Sequence, residues 1–587
     1  MHRHGVHFLD ATSARFALWA PNARDVSVVI GEQAFALQSD PEATGWFIGE
    51  VACQPGDHYF YRFTNTQNES QDVPDPASRY QPEGVHGPSQ AVDTGAFEWQ
   101  HDTWTGRPWQ EAVIHEQHVG VHGGYAGVAG QLPRLAELGI TAIELMPVAQ
   151  FPGKRNWGYD GVLPFAPQNS YGKPEELARL VDQAHGLGLS VMLDVVYNHF
   201  GPDGNYLHSY ADDFFDEGKQ TPWGASIDFK RPEVREFFIQ NALMWICEYR
   251  FDGLRLDAVH AIDNPDFLKE LARRVRAAVE PGRKVWLVLE NEHNQAFLLE
   301  EGFDAQWNDD GHNALHVLLT GETEGYYQDY EDQPIQKLAR CLGEGFVFQG
   351  QKNRHGKARG EPSGHLPPSA FVLFLQNHDQ VGNRALGERL TRLCTPEALR
   401  AATTLLLLSP MIPLLFMGDE QGSRSPFLFF TDHHDELADA VREGRRAEFK
   451  GFAAFESSED REQIPDPNDP KTFEASRPLT DTPAAEEWQA LYRTLLELRR
   501  KHVVPSLPGI KSEGVTVLTD KALSACWRLE NGDQLRIDLN LGETPCEVDV
   551  PDAAFWLHDS SRSNTQAGQL APASCIASLI PAGEGTV

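Results

Sequence analysis

Ser190–His199 reads SVMLDVVYNH: an apolar run too short for a helix that stops on a polar cluster, Asp194, Asn198 and His199. Ahead of it, residues 174–188 have helical spacing, with Pro174 near the start and Gly188 at the stop. A helix feeding a short, fully apolar strand is the repeating unit of a parallel sheet. Seven more segments repeat the pattern. They begin near Val113 (VIHEQHV), Ala142 (AIELMPV), Phe251 (FDGLRLDAV), Val285 (VWLVLEN), Phe303 (FDAQWND), Ala370 (AFVLFLQNHD) and Met411 (MIPLLFMGDE). Eight such strands over about 300 residues predict a (β/α)8 TIM barrel. The widest gaps, after Asn198 and after the sixth strand, predict loop excursions that shape a cleft.

Outward from the barrel the periodicity changes. RFALWAPNARDVSVVI at 15–30 alternates around Pro21-Asn22, and HYFYRF at 58–63 is a second aromatic strand. A β-sandwich therefore opens the chain, and the Pro- and Gly-rich stretch 72–89 marks its exit. Past a charged helical stretch at 485–500, VTVLTD and DQLRIDLN return to alternation. The reading is a multidomain α/β chain: an immunoglobulin-like N-terminal β-sandwich over 1–92, a linker over 93–110, the barrel over 111–505, and a C-terminal antiparallel β-domain over 506–587.

The 587 residues carry 85 Asp and Glu against 50 Lys and Arg, a net charge of −35, which disfavours nucleic acid and anionic membranes and points to neutral partners. Seven cysteines without CxxC spacing imply neither a disulfide framework nor a zinc ribbon, and with an amino terminus lacking a secretory apolar segment they predict a cytoplasmic protein. TLLLLSPMIPLLFMG at 404–418 is broken by Ser409, Pro410 and Pro413, so it reads as a buried helix running into a buried strand, not a membrane span.

In such a barrel, polar residues at the carboxyl ends of strands face the active site. Four strands end that way: Asp194, Asn198 and His199 on the third; Arg255 and Asp257 on the fourth; Glu290 on the fifth; Asn377, His378 and Asp379 on the seventh. Arg255 and Asp257, two apart, share a face, and a pair at about 4 Å is worth about 4 kcal/mol at an effective dielectric near 20. An ionised Asp beside a carboxyl kept protonated is what glycosidic cleavage needs. Glu290 follows the apolar VWLVL, whose walls favour the protonated form. Glu292 is an alternative acid.

DVVYNH, GLRLDAVH, the Glu after strand five and QNHD together resemble the four conserved regions of the α-amylase superfamily of glycoside hydrolases. The resemblance implies Asp257 as nucleophile, Glu290 as general acid/base and Asp379 as the third carboxylate that grips the sugar. Asp194, His199, Arg255, His260, Asn377 and His378 would contact the central sugar or hold the nucleophile. FPGKRNWGYDGVLPFAPQNSYG at 151–172 resembles the segment after strand two in branching enzymes and in maltooligosyltrehalose trehalohydrolases, with Tyr159 stacking on that sugar. Pro74–Ser89, Trp307–Tyr330 and Pro426–Phe449 resemble the trehalohydrolases more, and imply Trp307, Asp309, Asp310 and His312 as acceptor-side contacts. The chain departs from the subgroup at Gly311 and Asn313, where an aromatic and a second His are usual, and in HEQHVGVHGGYAG at 115–127.

The expected activity is retaining hydrolysis of the α-1,4 bond next to the terminal trehalose of maltooligosyltrehalose, a step of trehalose biosynthesis. It needs no cofactor, no catalytic metal and no partner beyond that substrate and related α-1,4-glucans. The alternatives are a glycogen branching or debranching enzyme and, in another class, a non-catalytic glucan-binding barrel.

Overall fold

A computed structural model describes residues 4–221, 224–479, 483–549, 554–561 and 568–582. Eight parallel strands close into one barrel: β1 Ile114–Gln117, β2 Ala142–Leu145, β3 Ser190–Val195, β4 Gly253–Leu256, β5 Trp286–Leu289, β6 Ala305–Trp307, β7 Phe371–Phe374 and β8 Ile412–Phe416. The order is sequential, and β1 closes the ring by pairing with both β2 and β8. The TIM-barrel reading is correct strand for strand.

Alternation within the strands sorts their residues by face. Ile114, Ala142, Met192, Trp286, Val288, Val372 and Leu414 belong to one apolar cluster that fills the cylinder. Two residues further along β1 to β4 the same face carries Glu116, Glu144, Asp194 and Arg255, all buried. An apolar plug therefore lies beneath a charged layer, and the charged layer is at the carboxyl end.

The N-terminal sandwich consists of two antiparallel sheets, one built on Ser13–Trp19 and Trp46–Ala52, the other on Ala23–Ile30 and His58–Asn65. The segment 93–110 is packed rather than free. Trp104 stacks on His185 at 5.1 Å and donates its indole N–H to Asp252, and Trp109 donates to the Ser369 carbonyl, both at 2.8 Å. The C-terminal sheet has five antiparallel strands in the order Lys511–Thr519, Ala522–Arg528, Gln534–Asn540, Ser574–Ile580 and Phe555–Asp559. Trp527 is fully buried in its core.

The apolar stretch at 404–418 is the end of helix Pro396–Leu408 followed by β8. Among the described residues no helix is long and apolar enough to cross a membrane. The excursion after β3 holds the hairpin Phe215–Thr221 and Gly224–Ile227; that after β6 holds helices Asp309–Thr320 and Pro334–Glu344. A third long excursion, after β8, carries the helix Asp435–Glu448.

Candidate active site

Arg255 is the hinge of the site. It rises from the middle of β4, is 1% exposed, and its guanidinium donates to Asp194 Oδ2 (2.7 Å) and Asp257 Oδ1 (2.8 Å) and pairs with Glu290 Oε2 (2.8 Å). The indole of Trp307 lies under it, 4.0 Å from the guanidinium carbon to the ring centroid. One cation thus ties the ends of β3, β4 and β5 together and reaches two carboxyls that face the cleft.

The two carboxyls differ in charge state because their surroundings differ. Burial alone would raise Asp257, but Arg255, His199 and the hydrogen bond from Asn198 Nδ2 (2.7 Å) hold it below the ordinary carboxylate value. Burial pushes Glu290 well above its ordinary value; Arg255 opposes this, and the nearby acids Asp257, Asp309 and Asp379 reinforce it. The two surroundings therefore drive the pair toward one ionised and one protonated carboxyl.

The backbone between them is strained. Ala258, directly after Asp257, sits in the left-handed region at φ 39°, which a residue with a Cβ rarely adopts. That conformation aims its N–H at Glu290 Oε2 (2.8 Å). The same turn that ends β4 therefore positions the side chain of the neighbouring strand.

Tyr159 enters from the segment after β2. Its predecessor Gly158 has φ +109°, and a Cβ there would lie 2.2 Å from the Pro147 carbonyl oxygen, so only glycine lets the chain pass. The phenol donates to Asp194 Oδ2 (2.7 Å) and accepts from His378 Nε2 (2.8 Å), while its ring stacks on His378 at 5.1 Å. His378 Nδ1 in turn donates to Glu116 Oε1 (2.5 Å), and its backbone N–H to Glu116 Oε2 (2.8 Å). Burial pulls His378 down, but the Glu116 carboxylate overrides it and holds the imidazole above its ordinary value.

Of the residues expected to meet the sugar, Tyr159, Asp257, His260, Glu290, Asp309 and Asp379 are partly exposed, and His199 and His378 nearly buried. Asp379 accepts from Asn383 Nδ2 (2.7 Å), and burial raises its carboxyl. Asp309 is pushed up to about 7 by burial and by Asp379. Glu292, the alternative acid, has a side chain 66% exposed beside His260 on the rim, with nothing to desolvate it.

Other residues named from the sequence are buried. Asp194, Trp307 and Asn377 lie beneath the cleft: Asp194 holds Arg255 and Tyr159, Trp307 supports Arg255, and Asn377 Oδ1 caps the turn at Gln380 (2.8 Å). Asp310 is 1% exposed and accepts from Tyr330, Asn294, Val347 and Phe348, so it pins loops together. His312, also 1% exposed, donates to the Leu375 carbonyl and stacks on Phe374. The departures at 311 and 313 fall inside the protein as well. A Cβ on Gly311 would lie 2.7 Å from Leu373 and 2.9 Å from Cys341, and Asn313 is buried.

Three functional positions escaped the sequence reading: Glu116, Glu144 and Asn383. Glu144 is fully buried next to Asp194 and Glu116, neither of its carboxyl oxygens makes a hydrogen bond among the described residues, and burial drives its pKa well up. Burial therefore favours its protonated form, which leaves Arg255 to the other acids. Glu116 lay in VIHEQHV, and the strand-end rule applied to β1 finds it. Replacing it by Gln removes what holds the His378 imidazole above its ordinary value. The His378 imidazole is expected to titrate at lower pH, read from its ring C–H protons by NMR, and an unchanged titration would refute this role.

Among the described residues, no three His, Cys, Asp or Glu side chains are grouped to hold a metal ion.

The family described as alpha amylase, catalytic domain, matches residues 59–223, and a domain of unknown function (DUF3459) matches 511–576. A malto-oligosyltrehalose trehalohydrolase of Deinococcus radiodurans is 42% identical over 577 residues, which cover 94% of this chain and 93% of the relative. That of Saccharolobus solfataricus is 40% identical over 511 residues, 84% of this chain and 86% of the relative. A crystal structure of an alpha-amylase candidate from Salmonella typhimurium superposes with a TM-score of 0.92 at 41% identity, covering 99% of this chain and all of that one.

Proposed function

Because the chain belongs to the malto-oligosyltrehalose trehalohydrolase family of α-amylase-type glycoside hydrolases, we propose that Asp257, Glu290 and Asp379 cleave the α-1,4 bond that joins a terminal trehalose unit to a maltooligosaccharide. The observation that carries this reading is the shared guanidinium of Arg255, which contacts two carboxyls whose surroundings drive their charge states apart.

The ionised Asp257 attacks the anomeric carbon while Glu290 gives its proton to the leaving glycosidic oxygen, and trehalose departs with that proton. The glucosyl chain is left as an ester on Asp257. Glu290, now a carboxylate, takes a proton from water as the water oxygen attacks the same carbon. The ester breaks, Asp257 is restored, Glu290 is reprotonated, and two inversions give net retention. Asp379, beside the pair, accepts hydrogen bonds from the sugar hydroxyls and favours the distorted ring. Tyr159 offers its partly exposed ring to the apolar face of that sugar. Arg255 and Asn198 hold the nucleophile, and no cofactor enters any step.

The substrates on this reading are maltooligosyltrehalose and related α-1,4-glucans. The seven cysteines, all free, support a reducing compartment, and we assign the enzyme to the cytoplasm as a step in trehalose formation.

Product analysis tests the substrate. Incubation with purified maltooligosyltrehalose should release free trehalose and a shortened maltooligosaccharide, with the new reducing end in the α configuration by NMR before mutarotation. An iodine-spectrum shift on amylose without trehalose release would instead identify a branching enzyme.

A further inference from the structure

At the end of the barrel remote from the carboxyls lies a cavity of about 560 Å³ whose lining includes Arg107, Glu111, Thr141, Leu496, Arg499 and Arg500. Val113 and Thr141, also in its wall, immediately precede β1 and β2, so the cavity opens at the amino-terminal mouth of the cylinder. Nothing in the hydrolytic site reaches it.

Its three arginines are held differently. Arg107 donates to the Gly188 carbonyl (2.6 Å) and to Glu111 (2.7 Å). Arg499 is fully buried, and its terminal nitrogens donate to the carbonyls of Leu407, Ser409 and Met411 at the carboxyl end of helix Pro396–Leu408, a favourable place for a cation. That accounts for two nitrogens but not for Nε, which makes no hydrogen bond, and no carboxylate pairs with this guanidinium among the described residues. Burial without a counter-ion pulls it down to about 9. Arg500 is exposed, with neither an ion pair nor a hydrogen bond among the described residues.

Arg499 and Arg500 are consecutive, yet both line the same space. They open a π-helical turn, Arg499–Val503, a local widening often found at functional sites. Three guanidiniums against the single carboxylate of Glu111 leave a local excess of two positive charges in a chain whose net charge is −35. Two positive charges match a phosphate dianion near neutral pH, and the fork of Arg500, the one guanidinium of the three whose nitrogens are not spent on protein acceptors among the described residues, matches its oxygens. The volume exceeds that of bare phosphate and lies within the range of small-molecule sites.

We propose that this cavity binds a phosphoryl dianion, carried on a small polar molecule such as a sugar monoester, at a site separate from the hydrolytic cleft. Titration calorimetry on the full chain, with glucose 6-phosphate, inorganic phosphate and glucose as probes at ionic strength fixed with KCl, reads it directly. Saturable binding of the phosphorylated probes but not of glucose is expected. A tighter fit for the ester identifies a monoester as the ligand, and equal affinity identifies free phosphate. Arg500→Glu, on the surface and outside the hydrolytic machinery, should raise Kd at least tenfold with unchanged hydrolysis, and adding Arg107→Gln should raise it further. No saturable heat from either phosphate, or the same Kd in Arg500→Glu, overturns the proposal.

Discussion

Asp257→Ala is expected to lower kcat by about 10⁴-fold or more, the scale on which removal of a covalent nucleophile acts, while substrate still binds. The structure explains why the loss should be confined to chemistry. Arg255 keeps its contacts with Asp194 and Glu290, and Asn198 loses a side-chain acceptor but still donates to the backbone carbonyl of residue 257 (3.0 Å). The rest of the cleft, from Tyr159 through His378 to Glu116, does not touch the deleted carboxylate directly. Single-turnover kinetics and a binding isotherm on the same preparation separate the two quantities. Retained hydrolysis would remove Asp257 from the mechanism, and lost binding would make its part structural.

Glu290→Gln is expected to cost about 10² to 10⁴ in kcat, the usual range for a general acid/base, and the loss should depend on the leaving group. Fluoride leaves α-maltosyl fluoride without a proton, so the first step with that substrate should stay within about tenfold of the unmodified enzyme, after which the glycosyl-enzyme accumulates because no base activates water. Sign matters for the pH profile. Asp257 works ionised and is held low, so activity falls on the acid side as it protonates. Glu290 works protonated and is held high, so activity falls on the alkaline side as it ionises. Glu290→Gln should therefore flatten the alkaline limb that belongs to this residue; the same slow rate with maltosyl fluoride as with the glucan would argue against the acid role.

The barrel was legible because most of its strands are apolar runs closed by polar residues, a pattern that a cylinder buried on both faces imposes, although β1 reads IHEQ and β6 AQW. Strands four and six begin two residues later than the apolar runs suggested, at Gly253 and Ala305. In each case an acid just before the strand serves the amino-terminal end: Asp252 accepts from Trp104, His185 and the Val191 amide, and Asp304 from the Leu287 amide.

Depth was not legible. Period two tells which side of a strand a residue faces but not how far down the cylinder it sits, so Asp194, Arg255 and Asp257 looked alike in sequence. One layer separates them: Asp194 and Arg255 are buried supports, and Asp257 reaches the cleft. Trp307, Asp310 and His312 are buried for a related reason. The chain turns into the helix Asp309–Thr320 directly after β6, and the helix carries Asp310 and His312 inward while leaving Asp309 at the cleft. Glu144 lies beside Asp194 because β2 pairs directly with β3, whereas Glu116 on β1 meets His378, after β7, across the ring.

Peptide mapping of a trapped intermediate goes straight to the division of labour between the two carboxyls. Glu290→Gln enzyme treated with α-maltosyl fluoride, quenched in acid and digested, should yield one peptide heavier by a maltosyl residue, with the ester on Asp257. A label on Asp379 or Asp309, or turnover with no label on any carboxyl, would contradict it.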